Sequence, residues 1–188
     1  AAAAIEATIE QVAEQCRLSD IPLFVEPLAY SLTPDVSTSS TAFAAERPRI
    51  VRDTARRLSG LGATVLKLEF PVDHKHNADQ NAWLEACMEI SQVCSVPWVL
   101  LSAGVDFEQF EQQVLAACKG GASGVLAGRA IWKESIAVSV EQRAEFLKVL
   151  RAPGNPEDEA LKALIEDRLR QTESERLGLT LTDEEVLQ

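Results

Sequence analysis

Two residues of this chain carry the clearest chemical character, Lys67 and Glu26. Lys67 lies in Ala63–Val72 (ATVLKLEFPV), an ammonium group among apolar, β-branched neighbours in a run that reads as a buried parallel strand. Burying a lysine without a partner is unfavourable, and the usual relief is a lowered proton affinity, which leaves a neutral amine able to attack a carbonyl. Lys67 is therefore a candidate Schiff-base nucleophile. The bland reading of such a lysine is an ion-paired or snorkelling residue. Glu26 falls near the end of the preceding predicted strand, and neighbouring strands lie about 4.8 Å apart, so the two side chains can share one cavity. A carboxyl group beside an amine supplies the proton transfers that forming and hydrolysing a carbinolamine require; the competing reading of the pair is a buried salt bridge. Glu69, two residues from Lys67, is expected on the same face, where its charge would oppose that relief. It is given no chemical step.

A second group has anion-binding character. Ser102–Ala103–Gly104 followed by Asp106 reads as strand end, turn and helix start, where backbone N–H groups point outward and a hydroxyl adds a donor. In Gly128–Arg129 the glycine lets an anion approach the backbone, and the guanidinium can hold a phosphate through two parallel hydrogen bonds. Together they predict a phosphate site. Asp73, His74 and His76 invite a metal reading, since two imidazoles on a loop can ligate, but a solvated loop accounts for them and no third ligand stands out. No cofactor or metal is assigned. Trp83, Trp98 and Trp132 read as packing residues, with Trp132 placed to buttress Arg129.

These groups need elements to position them. Pro22–Leu28, Ala63–Phe70, Pro97–Leu101 and Ser123–Ala127 read as strands without strict polar alternation, so both faces should be covered. Helical periodicity fills the gaps at Glu6–Cys16, Pro48–Leu61, Asn81–Cys94, Phe107–Lys119 and Ser139–Leu150. Alternation of this kind gives a parallel α/β sheet, either open and doubly wound or closed as a (β/α)8 TIM barrel. The residues after Glu26 (PLAYSLTPD) lack the glycine fingerprint of the open sheet, and polar residues cluster where each strand ends, which favours the barrel. Barrel phosphate sites lie after strands seven and eight, so the visible strands become strands 5 to 8. The chain then reads as the C-terminal half of a barrel, residues 1–151, with a helical tail over residues 152–188. Pro153–Pro156 marks the break, and Leu161, Leu164, Ile165 and Leu169 form one apolar stripe on the tail helix. Such a half leaves open edges and an uncovered inner face, so the missing N-terminal half is expected to come from a longer protein or from pairing into a homo-oligomer. The loop Ser31–Arg47 is long enough to be a lid.

Length and balance bound the rest. The 188 residues are 46% apolar and carry a formal charge of -11, with no basic run of the kind that binds nucleic acid. Cys16, Cys87, Cys94 and Cys118 show no CxxC pair and fall in predicted helices, which fits small buried thiols in a reducing, cytoplasmic setting. No signal peptide or membrane span is visible, so no membrane partner is expected.

With those residues in view, LFVEPLAY (Leu23–Tyr30), VLKLEFPV (Val65–Val72), PWVLLSAGV (Pro97–Val105) and GASGVLAGRAIW (Gly121–Trp132) resemble, in order and spacing, the strand motifs of the class I tagatose-1,6-bisphosphate aldolase family, which includes the sulfofructose-phosphate aldolases. The resemblance covers roughly Ile5 to Leu150. It implies that Lys67 is the imine-forming lysine and Glu26 the proton-transferring glutamate. Ser102, Gly104, Gly128 and Arg129 would hold the phosphate of a phosphorylated ketose substrate. The implied reaction is reversible cleavage of a ketose bisphosphate to dihydroxyacetone phosphate and an aldehyde phosphate. The family's N-terminal half, with its first-strand aspartate and a further lysine, has no counterpart here. The rival readings are a metal-dependent enzyme using His74 and His76 and a non-catalytic sugar-phosphate sensor.

Overall fold

The computed structural model describes residues 2–131 together with Ser139 and Gln142. The predicted helix over Ser139–Leu150, apart from Ser139 and Gln142, lies outside the described residues, as do the tail helix and Trp132. The chain divides into two compact units, Ala1–Ala130 and Ile131–Gln188, and everything below concerns the first.

Helices and strands alternate strictly: α1 (Ala2–Leu18), β1 (Phe24–Val25), α2 (Thr41–Leu58), β2 (Val65–Leu68), α3 (Gln80–Val93), β3 (Trp98–Leu101), α4 (Phe107–Lys119) and β4 (Gly124–Leu126). The strands form one parallel sheet in the order β1-β2-β3-β4. A doubly wound sheet reverses its strand order at a switch point, and here every crossover advances in the same sense, as in a barrel wall. Packing follows suit, with α2 against α3 and α3 against α4.

The strands are shorter than their apolar runs because hydrogen-bonded pairing, not side-chain type, ends them. Pro22 and Pro27 bracket β1 and bring no N–H to a ladder. Register pairs Phe24 with Val65, Leu66 with Trp98, Lys67 with Val99 and Leu100 with Val125. Leu66, Leu68 and Leu100 face the helices and are fully buried, each contributing about 1.5–3 kcal/mol of apolar burial. On the other face Phe24 is 50% exposed and Leu126 43% exposed, which is the uncovered inner face expected of half a barrel. That is the face a barrel turns inward, where strands from across the barrel cover it.

Helix α2 starts well before its predicted start at Pro48. Ser40 caps it, its hydroxyl accepting the Phe43 N–H at 3.2 Å, and Arg56 and Arg57 in the last turn complement the helix dipole. Pro48 removes one helical N–H without ending the helix. The predicted lid therefore shrinks, since Thr41–Arg47 is helix and not loop.

Behind β3, the Ser91 hydroxyl donates to the Gly120 carbonyl at 2.5 Å and accepts the indole N–H of buried Trp98 at 2.9 Å. One side chain thus ties α3, the α4 terminus and β3 together. Trp83 is also buried, donating to the Asn77 carbonyl at 2.8 Å and meeting Phe70 edge-on with ring centroids 5.2 Å apart.

Candidate active site

The register determines the centre of the site. Phe24 pairs with Val65, so one step of alternation along each strand puts Glu26 level with Lys67 on the face away from the helices. There the Lys67 ammonium donates to Glu26 Oε2 at 2.8 Å. The premise of an unpartnered lysine is corrected by this contact. Lys67 is half-buried at 26% side-chain exposure and Glu26 is 44% exposed, so neither is sealed from water. An amine and a carboxylate in direct contact on an accessible face can exchange a proton and still admit a carbonyl compound.

The anion-binding candidates assemble one and two strands further along. Ser102 follows β3 directly and is buried. The Val105 N–H returns to the Ser102 carbonyl at 3.1 Å around Ala103 and Gly104, whose φ values of 48° and 76° both lie in the left-handed region, as in a type I′ turn. The Gly128 N–H, just past β4, donates to Ser102 Oγ at 3.3 Å. Arg129 lies over the turn: a Cβ placed on Gly104 would meet Arg129 Cζ at 3.2 Å. Glycine adopts this backbone angle freely and leaves room for the guanidinium, which a Cβ would press aside by a few tenths of an ångström. Among the described residues no carboxylate forms an ion pair with Arg129. The structure thus brings Ser102, Gly104, Gly128 and Arg129 into one cluster beside the pair of Lys67 and Glu26. By strand rise and spacing, about 11 Å separates the Cα atoms of Lys67 and Ser102.

Arg47 and Glu69 are a contribution that sequence reasoning missed. Arg47 Nη2 meets Glu69 Oε1 at 3.0 Å and its Nε donates to the Phe70 carbonyl at 3.1 Å, while Glu69 Oε2 accepts the Ala29 N–H at 2.6 Å. These bonds engage the Glu69 carboxylate from α2 and from the loop after Glu26, in place of the influence on Lys67 anticipated for it. A pairing across 22 residues, with Arg47 assigned to a loop, left no local signal.

The other chemically suggestive residues do not build a competing centre. His76 Nδ1 lies 3.2 Å from Asp73 Oδ2. No group of three or more His, Cys, Asp or Glu residues suited to a metal occurs among the described residues. Burial pushes the Cys87 thiol up to about 12, with Cys118 adding to the shift, and burial alone pushes Cys94 up to about 11, so neither is a thiolate nucleophile near neutrality. Cys94 caps α3 instead of lying within it, and all four cysteines are free. A cavity of about 530 Å³ lined by Glu10, Cys16, Arg17 and Thr64 lies at the opposite, N-terminal ends of the strands, away from where barrel enzymes place their chemistry. No described helix is long and apolar enough to cross a membrane.

Comparison with known proteins places the chain in a family. A family model described as DeoC/LacD family aldolase matches residues 3–134. The tagatose 1,6-diphosphate aldolase of Listeria monocytogenes serotype 4b is 32% identical over 178 residues, covering 86% of this chain and 52% of the relative. Tagatose 1,6-diphosphate aldolase 1 of Streptococcus mutans serotype c is 34% identical over 152 residues, covering 73% of this chain and 46% of the relative. The chain spans about half the length of the curated relatives it matches. Among solved structures, the fructose-bisphosphate aldolase of Slackia heliotrinireducens aligns with a TM-score of 0.57 at 20% identity, covering 87% of this chain and 48% of that one. An archaeal fructose-1,6-bisphosphate aldolase, captured with its catalytic Lys bound to the carbinolamine intermediate, aligns with a TM-score of 0.54 at 19% identity, covering 85% and 51%. These structural likenesses bear on the fold, which is of the TIM-barrel type.

Proposed function

Because the chain belongs to the DeoC/LacD family of aldolases, we propose that it is the part of a class I aldolase carrying the Schiff-base lysine, acting on a phosphorylated ketose such as tagatose 1,6-bisphosphate. The observation that carries this reading is the 2.8 Å contact of Lys67 with Glu26 on the open face of the sheet. In the proposed reaction the Lys67 ammonium passes its proton to the Glu26 carboxylate, and the resulting free amine adds to the C2 carbonyl. The resulting carbinolamine loses water as Glu26 delivers a proton to the departing hydroxyl, leaving a protonated imine. Glu26, now a carboxylate, takes the proton of the C4 hydroxyl. The C3–C4 bond breaks, its electrons pass to the imine as an enamine, and C4 leaves as an aldehyde. Protonation at C3 and hydrolysis then release dihydroxyacetone phosphate and restore Lys67.

The cluster of Ser102, Gly104, Gly128 and Arg129 holds the phosphate next to C1 in this account. A lysine side chain and a triose phosphate together bridge the roughly 11 Å between β2 and the Ser102 turn. Charge also favours the assignment: in a chain of net charge -11, an anion needs a concentrated cationic group, and Arg129 over a glycine turn provides one.

The relatives are about twice as long as this chain, and the exposed Phe24 and Leu126 face needs cover. We assign that cover to the remaining strands of the barrel, contributed by the N-terminal half of the same protein. Cleavage of tagatose, fructose and sulfofructose phosphates should be measured for residues 1–188 alone and joined to that half, each with and without EDTA. Joined protein should cleave at least one ketose bisphosphate regardless of chelator. Activity that EDTA removes and zinc restores would move the protein to the metal-dependent class, and binding without cleavage would make it a sensor.

A further inference from the structure

The β1–β2 ladder ends at Val25 and Leu66, before Glu26, and the next residue, Pro27, has no N–H. The ladder therefore reaches the peptide before Glu26 but does not continue past it. Beyond the ladder, the segment after Glu26 is joined to the chain following β2 by the Ala29 N–H, which donates to Glu69 Oε2 at 2.6 Å. Glu69 is itself held: its other oxygen meets Arg47 at 3.0 Å, and both side chains are largely buried, at 13% and 16% exposure. Arg47 also donates to the Phe70 carbonyl, which anchors α2 to the chain beside Glu69. The segments Glu26–Ala29 and Lys67–Glu69 are thus linked at both ends, Glu26 to Lys67 and Ala29 to Glu69. A charge-assisted bond to a backbone N–H is short and directional, and it fixes the path of the three residues leading back to Glu26.

From this geometry we propose that Glu69, braced by Arg47, is a positioning residue that holds the Glu26 carboxylate against Lys67. Its catalytic significance rests on the aldolase reading above, while the geometric role does not. If Glu69 acts through Glu26, its removal has an effect only where Glu26 is present to be misplaced. An anchor that merely stabilises the loop would lower stability equally in both backgrounds.

The test follows the reactivity of Lys67 in the 188-residue chain toward trinitrobenzenesulfonate, read by peptide mapping, which requires no aldolase activity. Glu26→Gln should change the Lys67 labelling rate by about threefold or more, and Glu69→Gln should change it in the same direction. In the Glu26→Gln background, Glu69→Gln should add nothing. If Glu69→Gln does not fold, the paired Arg47→Ala/Glu69→Ala variant leaves neither charge unmatched and carries the same comparison. A labelling rate unmoved by Glu69→Gln, or an effect that multiplies on top of Glu26→Gln, overturns the proposal. Reduction with borohydride in the presence of dihydroxyacetone phosphate, carried out on the chain joined to its N-terminal half, separates the two ideas. Absence of an adduct with the labelling pattern intact removes the aldolase reading alone, and an adduct formed without any effect of Glu69 removes the positioning role alone.

Discussion

Lys67 Nζ and Glu26 Oε2 meet at 2.8 Å across 41 residues of chain, because parallel pairing of β1 with β2 brings both residues to the same level of one face. The function proposed here depends on that relationship more than on any other.

The first prediction concerns Glu26. Removing a general acid–base group costs about 10²- to 10⁴-fold in rate, so Glu26→Gln should slow ketose bisphosphate cleavage by that amount in the barrel completed with its N-terminal half. The loss should appear in kcat with KM little changed, since the substrate phosphates are held elsewhere. Steady-state kinetics on the folded variant check this.

A second prediction concerns Arg129 and the turn beneath it. A charge-assisted contact is worth roughly 1.5–3 kcal/mol, so Arg129→Ala should weaken binding of a phosphorylated ketose by about ten- to a hundred-fold, and Arg129→Lys should recover only part. Gly104→Ala should weaken the same binding, because the added Cβ lies 3.2 Å from Arg129 Cζ at a backbone φ of 76°. Calorimetric titration with the ketose phosphate measures both.

Ser91 offers a test of the core that supports β3. Ser91→Ala leaves the buried Trp98 indole N–H without its acceptor, and an unsatisfied buried donor costs about 1–3 kcal/mol. Urea unfolding followed by Trp fluorescence should show a lower midpoint with an unchanged slope.

The thiols give a pH dependence. The Cys87 pKa is raised by burial from 9.0 to about 12, so in that interval the folded chain retains a proton that the unfolded chain releases. The stability contributed is fully present below pH 9 and declines as pH rises toward 12, by up to about 1.4 kcal/mol per pH unit. Denaturant midpoints for the wild type and Cys87→Ala should converge over that range. In iodoacetamide labelling at pH 8, Cys87 should stay unmodified.

Much of this was legible in the sequence, and the reasons are physical. Apolar runs and helical periodicity located all four described strands and the helices between them, because burial against a helical layer imposes both patterns. Lys67, Ser102 and Gly128 stood out as polar or small residues at the ends of such runs. The start of α2 was missed because Pro48 resembles a helix start, whereas the operative cap is Ser40, about two turns upstream. Arg47 was lost with it, so the Arg47–Glu69 clamp could not be foreseen. The open inner face was legible only through the strand count, since β-branched residues that face a barrel interior read the same as residues covered by a helix.

The central claim is that Lys67 forms an imine with substrate. The protein should be incubated with dihydroxyacetone phosphate, reduced with borohydride, digested and mapped by mass spectrometry, with Lys67→Met as the control. The account predicts one triose phosphate fixed on the peptide carrying Lys67 and none in the control. Measurable ketose bisphosphate cleavage with no adduct at Lys67, or with the adduct on another lysine, would contradict it.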